Sequence, residues 1–327
     1  MARYKIVNVQ PYWEDCSIER KIADQIDASC VFIMDIDYEA IYREIPDCDA
    51  LVIQYLKIDE DLLKRMPGCK VIVRSAVGIN NIDLKACADH GIYVANVPDY
   101  LQGEVSDHVM AMFLAINRKL RFLDGRVRSG HWSVNDARPL YLLKTQSMGI
   151  LGCGQIGRQT ASRARAFGMK VYGYDPFLPE EVFLAENIIR VKDPDELFSR
   201  SDHISVHMPL TPETTHMVNY DRLCRLKKHS IVLNSSRGPV VSNDDLYRAL
   251  KEGRIFGAGL DVLEEEPPTL PLRLAEFDTV LFTPHVGYYS QEAEMNMKRK
   301  SFEEVVRFFT EGRLKHCVNQ QFFPQGA

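Results

Sequence analysis

Short apolar runs alternate with amphipathic stretches from the first residues onward. The runs over 4–9, 30–35, 50–55, 71–74 and 92–96 are short and nearly continuous, which predicts strands buried on both faces. Between them, 17–27, 38–45, 59–66 and 82–90 carry apolar residues at helical spacing. Such alternation predicts a parallel sheet with right-handed crossovers, so this part reads as a small doubly wound domain that ends at Pro98. Six more runs follow, over 148–152, 169–174, 203–207, 231–235, 257–262 and 279–283. The apolar stretch 104–120 predicts a long helix between the two series. The stretch 121–144, with Gly125, Gly130, Trp132 and Pro139, predicts a less regular arm that packs on a partner subunit. Ser242-Asn243-Asp244-Asp245 predicts a helix start. A last amphipathic helix over 290–312 is too long to be an ornament of the second sheet and predicts a return to the first domain, followed by a loose tail. The expected organisation is therefore 1–98 and 289–327 as one domain, with 99–288 inserted as another.

The run 148–152 leads directly into Gly152-Cys153-Gly154-Gln155-Ile156-Gly157, and a helical pattern follows to Phe167. A strand, a G-x-G-x-x-G turn and a helix form a dinucleotide cradle, in which backbone N–H groups at the helix start receive a pyrophosphate. Gly152 permits the tight turn, Gly154 the approach of the phosphates, and Gly157 the close packing of helix on strand. The next strand ends in Asp175, eighteen positions after the last glycine, where a carboxylate accepts ribose hydroxyls. Its charge repels a 2′-phosphate, and Pro176-Phe177-Leu178 supplies no arginine in compensation, so the loop predicts NAD(H). Six parallel strands that begin with this turn predict a full Rossmann sheet. Cys153 reads as a small filler at a tolerant position.

Ligands of open α/β sheets bind beyond the carboxyl ends of the strands. Three consecutive strand ends here carry functional groups: Ser236-Arg237-Gly238, Glu264-Glu265-Glu266-Pro267, and Pro284-His285-Val286-Gly287. Each has a structural reading when taken alone, and their succession beside the predicted nicotinamide singles them out. Reduction of a 2-oxo acid needs a proton donor for the developing alkoxide and a cation for the carboxylate and carbonyl oxygens. His285 is suited to donate the proton, Glu266 to orient it and favour the imidazolium, and Arg237 to offer a planar fork to the substrate.

The chain has 327 residues, 46% hydrophobic and 26% charged, which is ordinary material for two globular cores. Its formal net charge of −5, without a basic run, argues against nucleic acid as a partner. No run approaches a membrane span, and the N-terminus lacks the apolar core of a signal peptide. Eight cysteines with neither C-x-x-C nor zinc spacing predict reduced thiols in a cytoplasmic protein and no metal site.

Ordered motifs extend over nearly the whole length: VGINNIDL (77–84), ILGCGQIGRQTASRARAFGMKVYGYDP (150–176), SVHMPLTPET (205–214), NSSRGPVVSNDDLYRAL (234–250), GAGLDVLEEEP (257–267) and TPHVG (283–287). With these the chain resembles the D-isomer-specific 2-hydroxyacid dehydrogenases. NVPDYLQGEVSDH (96–108) and HVGYYSQEA (285–293) place it nearest the C-terminal-binding-protein-like branch. The resemblance implies two doubly wound parallel-sheet domains, a Rossmann NAD-binding domain inserted into a flavodoxin-like substrate domain. It implies Arg237, Glu266 and His285 as the catalytic set and the backbone of Val77 and Gly78 on the substrate carboxylate. Met208, Pro209 and Thr214 would surround the adenosine and ribose, with Ser235, Ser236, Asp261 and Gly287 at the nicotinamide side. It also implies a homodimer formed through the nucleotide domains. Two departures bear on the substrate: Tyr288 stands where that branch often has tryptophan, and Gly78-Ile79-Asn80-Asn81-Ile82-Asp83 replaces the usual G-x-D-N-I-D. Tyr55 and Tyr288 are expected to line the pocket and favour an apolar 2-oxo acid. Lys57 and Arg74 are the only nearby cations for a substrate phosphate.

Two functions compete. One is NADH-dependent reduction of a 2-oxo acid to the D-2-hydroxy acid, and the reverse. The other is an NAD(H)-sensing, corepressor-like partner-binding protein with little turnover, which has no need to retain a proton donor. A methyltransferase using the same glycine loop leaves the three strand-end residues unexplained, and a formate dehydrogenase relative would carry glutamine at position 266.

Overall fold

The computed structural model describes residues 2–11 and 15–323 and divides into two compact units: Met1–Leu101 with Ser290–Ala327, and Gln102–Tyr289.

The first unit holds five parallel strands, β1 (Tyr4–Val9), β2 (Ala28–Ile33), β3 (Ala50–Ile53), β4 (Val71–Arg74) and β5 (Tyr93–Asn96), in the order β2-β1-β3-β4-β5. Every residue of β3 is buried, because helices cover both faces, and this is why its run is apolar without alternation. The helix Gln291–Glu311 belongs to this unit. Its Phe302 and Val305 are buried with Ile6, Val52, Val71 and Val73 of the sheet. It begins where the Ser290 hydroxyl accepts the Ala293 N–H at 2.9 Å and ends at Gly312, φ +69°. The chain beyond it is less loose than its sequence suggests. Asn319 is fully buried, accepts the Val94 N–H and donates to the Ile92 carbonyl, both at 2.9 Å, so it pins the segment to the edge strand β5.

The second unit holds β6 (Ser147–Leu151), β7 (Lys170–Tyr174), β8 (Ile189–Arg190), β9 (His203–Val206), β10 (Ile231–Asn234), β11 (Gly257–Leu260) and β12 (Val280–Phe282). Their order, β12-β11-β10-β9-β6-β7-β8, is parallel throughout. The sheet has seven strands where six were expected, because β8 is a two-residue edge strand, too short to leave a hydrophobic run. It grows from β6 one way through β7 and β8, then reverses to β9. That reversal opens a crevice at the carboxyl ends of β6 and β9.

The helix Gln102–Asn117 lies on β10 and β11. Gly259 makes this approach possible, since a Cβ there would stand 3.2 Å from the Met112 Cβ. Residues 121–144 are more regular than expected. A helix spans Leu120–Arg128, although none of its residues is buried, and short 3₁₀ turns follow at Val134–Ala137 and Leu143–Thr145. The Ser242 hydroxyl caps the helix Asn243–Lys251 by accepting the Asp245 N–H. All eight cysteines are free. Among the described residues no helix is long and apolar enough to cross a membrane, and no three His, Cys, Asp or Glu residues gather as a metal site.

Strand β9 begins with a histidine that the fold keeps neutral. His203 is wholly buried, its Nδ1 accepts the Ile231 N–H, and its Nε2 meets the Gln146 amide oxygen at 3.0 Å. Burial, with the positive charge of His229 second, pushes its pKa down to about 3. The unfolded chain therefore binds the proton first, and the stability that His203 contributes is lost as pH falls from near 6.5 towards 3. At pH 5 the cost is about 2 kcal/mol. His203→Gln is expected to reduce the decline of unfolding free energy between pH 7 and pH 5 by about that amount, whatever its stability at pH 7. Denaturant titrations that show the wild-type decline in the variant would contradict this.

Candidate active site

The turn after β6 is built around its three glycines. Gly152 has φ +95°, and a Cβ on it would lie 2.8 Å from the backbone of His207 and Met208. A Cβ on Gly157 would strike the Gly152 carbonyl at 2.1 Å, so the helix Gln155–Ala166 rests directly on the turn. Gly154, by contrast, is exposed, and a Cβ there would meet nothing within 4 Å. Gly154 and Gln155 thus stand at an open helix start, with Ile156 half-buried behind them. Asp175 organises the turn from β7: one carboxylate oxygen accepts the Cys153 N–H and the other the Phe177 N–H, both at 3.0 Å. An ionised carboxylate keeps further lone pairs for ribose hydroxyls. Cys153 itself is buried, and burial pushes its thiol up to about 12, the state of an unreactive filler. The Ser235 hydroxyl, just past β10, is buried without a hydrogen-bond partner among the described residues, an orphan that a bound amide or hydroxyl group would satisfy. Met208 is buried. The Thr214 hydroxyl is taken up by its own turn, donating to the Pro209 carbonyl and accepting the Thr211 N–H, both at 2.7 Å.

Arg237, Glu266 and His285 follow the neighbouring strands β10, β11 and β12. Asn234, fully buried at the end of β10, shapes the first loop. Its side chain accepts from the Ser236 N–H and hydroxyl and donates to the Arg237 carbonyl at 3.0 Å. Gly238 brings that loop against the next, since a Cβ on it would overlap the Leu263 carbonyl at 1.7 Å. Leu263 in turn gives its N–H to Glu266 Oε1 at 3.1 Å, while Glu266 Oε2 meets His285 Nδ1 at 2.6 Å. Burial by itself would raise the Glu266 carboxyl. The hydrogen bond and charge of His285, the Leu263 N–H and the Arg237 guanidinium outweigh it and hold the group below the usual carboxylate range. The other two glutamates act elsewhere: Glu264 pairs with His216 and the Asn243 N–H, and Glu265 with the N–H and hydroxyl of Thr269.

His285 has φ +53°, rare for a non-glycine residue. Asp261, buried at the end of β11, holds it there. The Asp261 carbonyl accepts the His285 N–H at 2.8 Å, and its two carboxylate oxygens accept the Val286 and Gly287 N–H groups, each at 2.9 Å. The Tyr288 ring stands edge-on to the His285 ring, centroids 6.4 Å apart. Sequence reasoning missed Asn234 and Gly238 as organisers of the site. The polar Asn234 at the end of an otherwise apolar strand was the available signal.

In the first unit, Val77 and Gly78 follow β4. The Val77 carbonyl accepts from Asn96 at 2.6 Å, and the Gly78 carbonyl from Arg74, which also donates to the Gln54 carbonyl at 3.1 Å. Asn81 ties the same loop to the Leu56 carbonyl at 2.7 Å. Asp83 caps the helix Leu84–Asp89. Tyr55, after β3, is exposed and its N–H donates to the Gln10 side chain.

Comparison with known proteins assigns the family. Residues 110–287 match the family model described as "D-isomer specific 2-hydroxyacid dehydrogenase, NAD binding domain". A D-3-phosphoglycerate dehydrogenase of Methanocaldococcus jannaschii is 35% identical over 288 residues, 88% of this chain, which spans only 55% of that enzyme's length. A glyoxylate reductase of Korarchaeum cryptofilum is 36% identical over 86% of both chains. A D-lactate dehydrogenase of Aquifex aeolicus, solved with NAD and lactic acid, superposes with a TM-score of 0.85 at 29% identity and covers 96% of this chain and 99% of its own. The chain belongs to the D-isomer-specific 2-hydroxyacid dehydrogenase family and is an NAD-dependent oxidoreductase.

Within that class, Asp175 should set the choice between NADH and NADPH. The wild type is expected to favour NADH by on the order of 100-fold in kcat/KM, about 2.7 kcal/mol, and Asp175→Ala to narrow the gap. A wild-type preference for NADPH would contradict this reading of the β7 end.

Proposed function

We propose that the chain reduces a small, non-phosphorylated 2-oxo acid to its D-2-hydroxy acid, and runs the reverse reaction. The observation that supports this most strongly is the 2.6 Å pairing of His285 Nδ1 with Glu266, beside Arg237 on adjoining strand ends. NADH, when bound, supplies the hydride to the carbonyl carbon. His285, whose Nδ1 is engaged by Glu266, gives the proton on Nε2 to the carbonyl oxygen as the alkoxide develops, and regains one from solvent. Glu266 fixes the ring and stabilises its charged form. Arg237 binds the carboxylate and polarises the carbonyl. In the first unit, the Val77 and Gly78 backbone and Tyr55 are the groups offered to substrate; in the second, Tyr288 stands beside His285. Ser235, Ser236, Asp261 and Gly287 stand at the nicotinamide side, Met208, Pro209 and Thr214 at the adenosine.

The exclusion of a phosphate rests on charge. Arg74 is engaged with the Gln54 and Gly78 carbonyls, and Lys57 pairs with Asp59 at 3.6 Å. An unphosphorylated 2-oxo acid therefore suits the loop better than a phosphorylated one. The partner-binding alternative gives no reason for the Glu266–His285 pair.

The same reading includes a cytoplasmic homodimer formed through the second unit. Leu120, Phe122, Val127, Trp132, Val134, Tyr141 and Leu142 are all exposed, Trp132 by 88%. Of these, Phe122 also lines a hollow of about 290 Å³ with Ile116, Phe256, Val280 and Leu281. So much apolar surface on one arm suits a second copy of the chain. Light scattering should find a dimer for the wild type and a shift towards monomer for Phe122→Glu with Trp132→Glu. A monomeric wild type, or a variant that remains fully dimeric, would contradict it.

Activity is tested by NADH oxidation over a panel of glyoxylate, hydroxypyruvate, branched and aromatic 2-oxo acids, and 3-phosphohydroxypyruvate. Turnover of at least one unphosphorylated acid is expected. NADH binding without turnover across the panel would favour the partner-binding alternative. Glu266→Gln should move the alkaline fall-off of the reduction rate to lower pH, because the charge that favours the protonated imidazole is gone. Well below both fall-offs the two enzymes should differ much less. An unmoved alkaline limb would exclude the pairing from catalysis.

A further inference from the structure

His108 lies midway along the helix Gln102–Asn117, and its side chain points at the residue that begins the His285 loop. Its Nε2 stands 2.9 Å from Thr283 Oγ1, and Thr283 Oγ1 stands 2.6 Å from Asp261 Oδ1. Asp261 is 3% exposed, and an ionised carboxylate there has no proton to give. The short Thr283–Asp261 contact must then carry the threonine's single proton. Thr283 has only its lone pairs left for His108, so His108 Nε2 carries a hydrogen and donates it. The order of donation is His108 to Thr283 to Asp261. Asp261 then holds the three consecutive N–H groups of His285, Val286 and Gly287. Gly287 leaves room for this arrangement, since a Cβ there would stand 2.8 Å from Asp261 Oδ2 and 3.2 Å from the His108 ring.

We propose that His108, acting through Thr283, is a positioning residue for the reaction: it fixes the Asp261 carboxylate, and through it the left-handed backbone of His285. The proposal rests on His285 being the acid and base. A non-glycine residue at φ +53° persists only where its surroundings over-determine it. Here Asp261 supplies much of that constraint, its carbonyl on the His285 N–H and its carboxylate on the next two N–H groups, and the carboxylate's orientation depends on the hydroxyl of Thr283. Asp261 Oδ1 is also 3.6 Å from His108 Nε2. The charged group facing the His285 ring is Glu266, whose carboxylate also feels the Arg237 guanidinium. Loosening the loop would lengthen the Glu266–His285 contact and misplace the proton donor.

The experiment compares His108→Leu, which cannot donate, with His108→Gln, whose amide can. His108→Leu, and independently Thr283→Val, should lower kcat for reduction by about 10-fold, a modest share of what an ångström of misplacement costs. Both should also move the alkaline limb of the kcat profile to lower pH. His108→Gln and Thr283→Ser should restore most of kcat and the position of the limb. A purely structural role would lower thermal stability and leave the limb in place. A wild-type kcat and limb in His108→Leu overturns the proposal, as does a His108→Gln enzyme no better than His108→Leu. His285→Ala separates the two levels. If it reduces substrate as fast as wild type, the acid–base reading fails. If it is slow while His108→Leu is unimpaired, only the positioning role fails.

Discussion

The hydrogen bonds of Asp261 are the constraint on which the site depends. A parallel sheet delivers its loops to one edge but does not shape them, and β10, β11 and β12 end in loops of very different conformation. Asp261 turns the position just after β11 into an anchor for the loop after β12, so that His285 is presented in a backbone conformation it would not adopt unaided. The anchor works because it is dry. Buried beneath the helix Gln102–Asn117, its carboxylate exchanges water for backbone N–H groups and the Thr283 hydroxyl, and charge-assisted bonds in such a place are stronger than in solvent.

A second constraint is the absence of side chains at points of close approach. Gly238 lets the Arg237 loop lie against Leu263, and Leu263 holds Glu266. Gly152 and Gly157 do the same for the turn after β6 and the helix that follows it. Arg237, Glu266 and His285 are thus assembled less by contacts among themselves than by backbone contacts one layer beneath. The central hydride chemistry belongs to the cofactor, and the chain's contribution is position, charge and a proton.

Much of this was legible in the sequence. Both sheets are buried on both faces, so their strands appear as unbroken apolar runs, and β1, β4 and the glycine turn stand at the predicted positions. The β8 edge strand left no pattern because two residues cannot form one. The helix Leu120–Arg128 was obscured because it buries nothing, and its apolar residues face outward. Of three adjacent glutamates, nothing in composition or spacing distinguishes the one that pairs with histidine. Glu266 is the one read at the strand end and the one the family resemblance implies, while the tertiary structure pairs Glu264 with His216 and Glu265 with Thr269. Asp261, Thr283 and His108 meet across separations of 22 and 175 positions, beyond the reach of any local signal.

The central claim is that His285 must hold a proton when a 2-oxo acid is bound, and proton uptake measures this directly. Oxamate is an unreactive mimic of a 2-oxo acid. Its binding to the NADH complex can be followed by calorimetry at pH 8 in buffers of different ionisation enthalpy. An ordinary imidazole is mostly neutral at that pH, so the account predicts uptake of about one proton per chain, abolished in His285→Asn while NADH still binds. Oxamate binding without proton uptake, or uptake unchanged in His285→Asn, would contradict it.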